Sequence, residues 1–73
     1  ARHLAKRSVS LAGHHTSVAL EPAFWAVLET AARRRGLSLA ALVAEVDAAR
    51  ADPAAPLASA LRLFALADAQ RAG

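Results

Sequence analysis

Between Thr16 and Leu20 the chain alternates, with Thr16, Val18 and Leu20 on one side and His15, Ser17 and Ala19 on the other, and then passes without a loop into Glu21-Pro22. A two-residue period marks a strand with one buried face. Glu21-Pro22 is a helix entrance, because proline fixes a helix-compatible φ and its missing N–H costs nothing in a first turn. The strand at 15–20 therefore has no neighbour signalled nearby. A lone strand leaves its backbone N–H and C=O groups without partners, so pairing must come from elsewhere in the chain or from a second copy of it.

Length sharpens this demand. The chain has 73 residues and no cysteine, enough for one domain whose core contributes only about 3–5 kcal/mol without disulfides, metal or oligomerisation. Thiolate zinc sites and disulfides are excluded, which leaves oligomerisation as the expected supplement. The composition is 56% hydrophobic but only 4% aromatic, and alanine makes up much of the apolar count, which favours closely packed helices. No apolar run approaches the ~20 residues that cross a bilayer, and the first residues lack the apolar segment of a signal peptide. A soluble, cytoplasmic chain with no membrane partner is expected.

The net charge of +3 is concentrated in residues 1–20, where Arg2, Lys6 and Arg7 face no acid; the rest of the chain balances its arginines with Glu and Asp. A basic arm leading into a ribbon suits an anionic partner, and a solubilising tail accounts for the same charge.

Residues 1–6 read as a flexible basic arm. Arg7 to Leu11 alternates again, Val9 and Leu11 against Ser8 and Ser10, and Gly13 offers a turn back toward the strand. The intervening Ala12-Gly13-His14-His15 lacks the Asn-Gly or Asp-Gly of a strong hairpin signal, so one strand is expected and the second is left open.

A first helix is predicted over 22–35: Phe24, Val27, Leu28 and Ala31 form its core stripe, Arg33 to Arg35 complement its dipole at the C-terminal end, and Gly36 stops it. The same placement makes Arg33 to Arg35 more a helix end than a nucleic-acid contact. Trp25 falls beside the stripe, at a dimer or helix contact or a base-stacking position. A second helix, 38–50, starts at the N-cap residue Ser38 and presents Leu39, Leu42, Val43 and Val46. Pro53 and Pro56 break the pattern. A third helix over 57–70 presents Leu57, Leu61, Phe64 and Ala67, with Leu63 and Leu66 flanking, a stripe wide enough to suggest burial on more than one side. No internal repeat stands out.

Catalytic constellations are thin. There is no Cys, Tyr or Met, the glycines stand too far apart for a phosphate loop, and His14 and His15, adjacent on a strand, point to opposite faces and cannot easily chelate one metal. Three amphipathic helices of this size leave little room for a desolvated acid-base pocket. Neither an enzyme nor a cofactor or metal is expected.

A strand without a local partner, a helix, a glycine turn and a Ser-capped helix, running from His15 to Val46 as HTSVALEPAFWAVLETAARRRGLSLAALVAEV, resembles the ribbon-helix-helix DNA-binding proteins, the Arc and MetJ repressor class. The opening KRSV with LAGHHTSV, and the segment GLSLAALVAEVD, are similar to a small bacterial subgroup of that family.

The resemblance implies a mainly α fold with one short strand, paired antiparallel between two subunits of an intertwined homodimer, plus an additional C-terminal helix. It implies that the ribbon enters the major groove of double-stranded DNA, that His15, Ser17 and Ala19 face base edges, and that Arg2, Lys6 and Arg7 grip phosphates. Ser38 and Leu39, at the second helix start, would hold a further phosphate. Thr16, Val18, Leu20, Phe24, Leu28, Leu42, Val43 and Val46 would form the dimer core. Family members carry longer polar side chains on the outer face, so direct readout from His15, Ser17 and Ala19 should be modest. The function implied is a homodimeric transcriptional regulator. The alternative is an antitoxin-like interaction module in which the ribbon only dimerises and the C-terminal helix holds a protein partner.

Overall fold

The computed structural model describes residues 3–11, 13–50, 52 and 54–72. The chain forms strands β1 (Ala5–Leu11) and β2 (His14–Leu20), then helices α1 (Pro22–Arg35), α2 (Leu39–Ala48) and α3 (Leu57–Ala72). Two strands replace the expected single one, and the ribbon expected between subunits forms within one chain. β1 and β2 run antiparallel, with Ala5 opposite Leu20, Ser8 opposite Ser17 and Leu11 opposite His14.

Two residues separate the strands, and Gly13 takes a φ of +84°, a left-handed value that glycine adopts without strain. Glycine at that position is enough to turn the chain without an Asn-Gly pair. Closing so short a loop costs little entropy.

The expected flexible arm over 1–6 is also shorter. Ala5 and Lys6 belong to β1, and the Trp25 indole N–H donates to the Ala5 carbonyl at 2.7 Å, which ties the start of the ribbon to α1. Arg2 lies outside the described residues.

One face of the ribbon packs on the helices: α2 lies against β1, α3 against β2, and α1 touches both other helices. The core joins Val9, Val18 and Leu20 to Trp25, Leu28, Ala31, Ala32, Leu42, Val43, Leu61 and Ala65. Of the residues expected to form a dimer core, Val18, Leu20, Leu28, Leu42 and Val43 are buried within the single chain, and Phe24, Val46 and Thr16 are half-buried. Trp25, expected at the margin, is 1% exposed; a buried ring of that size contributes on the order of 4 kcal/mol. Base stacking by Trp25 is thereby excluded in this fold.

Pro22 opens α1, and Gly36 ends it at φ +70° while Leu37 N–H donates to Ala32 O at 2.9 Å and Gly36 N–H to Arg33 O at 3.1 Å. This is a Schellman stop, and it directs the chain into α2. Ser38 caps α2 by accepting the Ala41 N–H at 3.0 Å. On α3 the wide apolar stripe is buried on one side only. Leu61, Ala65 and Asp68 face inward, whereas Ala67 is exposed and Leu63 and Leu66 are 68% and 52% exposed. Asp68, 5% exposed, is matched by Arg34 of α1, which donates to its carboxylate.

Gly36→Ala tests the helix stop. No atom lies within 4 Å of an added Cβ, so the cost is the left-handed backbone alone, about 1–2 kcal/mol, read as a lower urea midpoint with an unchanged m-value.

Candidate nucleic-acid interface

The pleat divides the ribbon into an inner face that builds the core and an outer face turned to solvent. Lys6, Ser8 and Ser10 of β1 are exposed on the outer face. Across from them lie Ala19, Ser17 and His15 in the pairs Lys6–Ala19, Ser8–Ser17 and Ser10–His15. His15 and Ser17 are exposed and Ala19 is half-buried. His15, Ser17 and Ala19 thus share the outer face as the alternation requires. Lys6, Ser8 and Ser10 join them, and the serines were not singled out by sequence; their signal was the Val9/Leu11 alternation, which needed the hairpin to acquire a meaning.

The outer face carries no acid. Ser10 Oγ lies 3.5 Å from His15 Nδ1, a contact long for a hydrogen bond that leaves both groups available to other partners. Lys6 makes no ion pair among the described residues.

Arg7 does not fit its expected phosphate role. It sits opposite Val18 on the inward side of β1, donates to Glu29 of α1 at 2.6 Å, and holds its guanidinium 4.9 Å from the Trp25 ring centre. With Trp25 bonded to Ala5, this makes a clamp between the ribbon and α1. The hydrogen bond and charge of Arg7, helped by the charge of Arg33, hold the Glu29 carboxyl below its ordinary value of 4.5 against a smaller opposing effect of burial. Glu21, which accepts from Arg62 Nε at 2.9 Å, is lowered likewise, first by that bond and then by its own backbone N–H.

The arginines ending α1 are also engaged internally: Arg33 with Thr30 Oγ1 at 3.3 Å, Arg34 with Asp68, and Arg35 with Glu45 at 3.7 Å and over the Phe64 ring. Ser38 is exposed and Leu39 half-buried against the core. The free N–H groups of the first turn at Leu39 and Ala40 follow from helix geometry. Among the described residues no group of three or more His, Asp or Glu side chains could hold a metal ion, and no helix is long and apolar enough to cross a membrane.

A model of the ribbon-helix-helix domain matches residues 4–69, a span that begins just before the ribbon and ends inside α3. The chain belongs to the ribbon-helix-helix family. Membership suggests a DNA-binding or regulatory role, and it extends to α3, which the minimal two-helix pattern omits. Neither a curated protein nor a solved structure matches this ribbon-helix-helix chain.

The Arg7–Glu29 and Arg62–Glu21 pairs make stability pH-dependent. Because Glu21 and Glu29 titrate lower in the folded chain than in the unfolded one, their contribution is complete above the ordinary glutamate value and is lost as pH falls through the folded-state values. The effect is small, since these pairs are well exposed. Thermal melts between about pH 5 and pH 3 should show a decline, and a Glu21→Gln, Glu29→Gln double variant should flatten it while leaving an otherwise similar melting profile at neutral pH.

Proposed function

We propose that this ribbon-helix-helix chain lays the outer face of its ribbon in the major groove of double-stranded DNA and acts as a sequence-selective transcriptional regulator in the bacterial cytoplasm. The observation that carries this reading is the outer face itself: six side chains in three cross-strand pairs, Lys6–Ala19, Ser8–Ser17 and Ser10–His15, with a cation, hydroxyls and an imidazole but no acid. A two-stranded ribbon fits the width of the major groove. Lysine donates to guanine acceptors or phosphates, serine hydroxyls donate or accept, and the Ala19 methyl suits a thymine methyl.

The role is binding rather than catalysis, and it needs no cofactor. Ser38 and the first-turn N–H groups of α2 would add a phosphate contact beside the groove. Arg2 belongs to the same basic segment, whereas Arg7 would have to leave Glu29 and Trp25 to reach DNA. A homodimer, as the family resemblance implies, belongs to this reading, with each chain contributing a ribbon of its own.

Binding of the purified protein to labelled duplex from upstream of its own gene, against scrambled duplex, over a salt series, tests the proposal. Preferential binding should weaken with salt, and Lys6→Ala should lower the salt slope by about 1. His15→Ala with Ser17→Ala should cost roughly tenfold in preference. Equal affinity for both duplexes, unmoved by these changes, would sink the reading.

A second reading is favoured by α3, where Leu63 and Leu66 stand exposed one turn apart. These leucines would form an apolar contact for a protein partner, as in an antitoxin-like module. Leu63→Ser with Leu66→Ser should then abolish co-purification of a specific partner without altering DNA binding; retention of the partner would remove this role.

A further inference from the structure

Between α1 and α3 lies a groove of about 590 Å³, lined by Ala26, Val27, Thr30 and Arg34 of α1 and by Asp68 and Ala69 of α3. Ala26, Thr30 and Arg34 recur at four-residue steps, so they share one stripe of α1. Alanine at 26 and 69 ends at Cβ, which leaves the space between the two helices unfilled. The volume falls within the range of about 300–1,000 Å³ common to small-molecule sites, which are mostly apolar with a few convergent polar groups. None of these residues belongs to the outer face of the ribbon.

The polar groups gather as one ion pair with bonding capacity to spare. The Asp68 side chain is 7% exposed, and its Oδ2 accepts from Arg34 Nη2. Among the described residues its Oδ1 accepts no hydrogen bond, yet that oxygen is not sealed from solvent. A carboxylate held this deep needs its remaining lone pairs matched, and a single arginine bond leaves that unfinished. Arg34 is the mirror case. Its side chain is 49% exposed, and its Nε and Nη1 donate to nothing among the described residues. Thr30 Oγ1 accepts from Arg33 at 3.3 Å, which leaves its hydroxyl proton to donate elsewhere. The groove thus offers an acceptor and a set of donors, with apolar walls beside them.

We propose that the groove between α1 and α3 binds a small zwitterion with an apolar tail, an α-amino acid of the valine, leucine or phenylalanine kind. The ammonium group donates to Asp68 Oδ1, the carboxylate accepts from Arg34 and Thr30, and the side chain lies on Ala26, Val27 and Ala69. Charge decides among ligand classes. The Arg34–Asp68 pair is neutral as a unit, so a lone anion is attracted by Arg34 and repelled by Asp68, and a lone cation meets the reverse. A zwitterion matches both charges at once through charge-assisted bonds, which are about twice as strong as neutral ones. The site requires only the packing of α1 on α3, and it stands apart from the DNA-binding reading.

The experiment titrates the full chain, isotope-labelled for NMR, with L-valine, L-leucine and L-phenylalanine. Each is paired with one analogue lacking the ammonium and one lacking the carboxylate; for leucine these are isocaproate and isoamylamine. Two variants accompany the wild type. Asp68→Asn keeps an acceptor for Arg34 and removes the charge, and Ala69→Phe fills the groove from an exposed position. Circular dichroism confirms that both fold, and sedimentation reports their assembly.

The expected result is saturable binding of at least one of the three amino acids, with amide shifts centred on Ala26, Thr30 and Ala69. Both analogues of that amino acid should bind at least about tenfold more weakly, Asp68→Asn should lose as much, and Ala69→Phe should abolish binding. An analogue that binds as tightly as its parent would overturn the zwitterion, and shifts centred elsewhere would overturn the site. Absence of binding by all three amino acids would overturn the proposal outright. If in that case Ala69→Phe also changes the assembly seen by sedimentation, the groove belongs to an interface with another copy of the chain.

Discussion

The antiparallel pairing of Ala5–Leu11 with His14–Leu20 satisfies strand backbone groups that no helix of the chain supplies, and it decides which side chains face inward. A two-stranded ribbon does not stand alone in water. Here its inner face is covered by three helices, and its free end is fastened by the Trp25 indole bonded to the Ala5 carbonyl. Without the ribbon, Val9, Val18 and Leu20 would not meet Leu28, Leu42 and Leu61, and the helices would have little to pack on. A small domain without disulfides gains its stability from this closure, because the cost of joining the strands is limited to a two-residue loop.

Charge is distributed by the same division. Most of the arginines in the described residues are drawn into the architecture: Arg7 to Glu29, Arg34 to Asp68, Arg35 to Glu45, Arg50 to Asp47 and Arg62 to Glu21. These pairs are exposed to differing degrees and individually modest, but they orient α1 against the ribbon and against α3. What is left for the solvent face of the ribbon is a sparse set: Lys6, three serines, His15 and a methyl. Such a surface offers shape and a few short polar contacts.

Much of this was legible along the chain. Helix α1 carries its own start in Pro22 and its own stop in Gly36, and Ser38 announces α2; these are local effects of φ restriction and backbone capping, so adjacent residues suffice. The faces of β2 were equally legible, because alternation follows from strand geometry whatever the partner. Arg7 and Trp25 were not. Their roles depend on Glu29 and Ala5, distant in sequence, and an arginine that clamps a core looks like one that binds phosphate until its partner is known. The width of the stripe on α3 misled for a related reason, since apolar residues on a helix record what can be buried and leave open what is: Leu63 and Leu66 remain in solvent.

The sequence by itself determined the three helices, the family and the two-faced character of β2, since period, capping and proline act over a few residues. The tertiary structure decided that β2 finds its partner in the same chain, that Arg7 faces inward and that Ser8 and Ser17 share the centre of one face. Those are matters of pairing, and pairing is a competition between partners that only the folded register resolves.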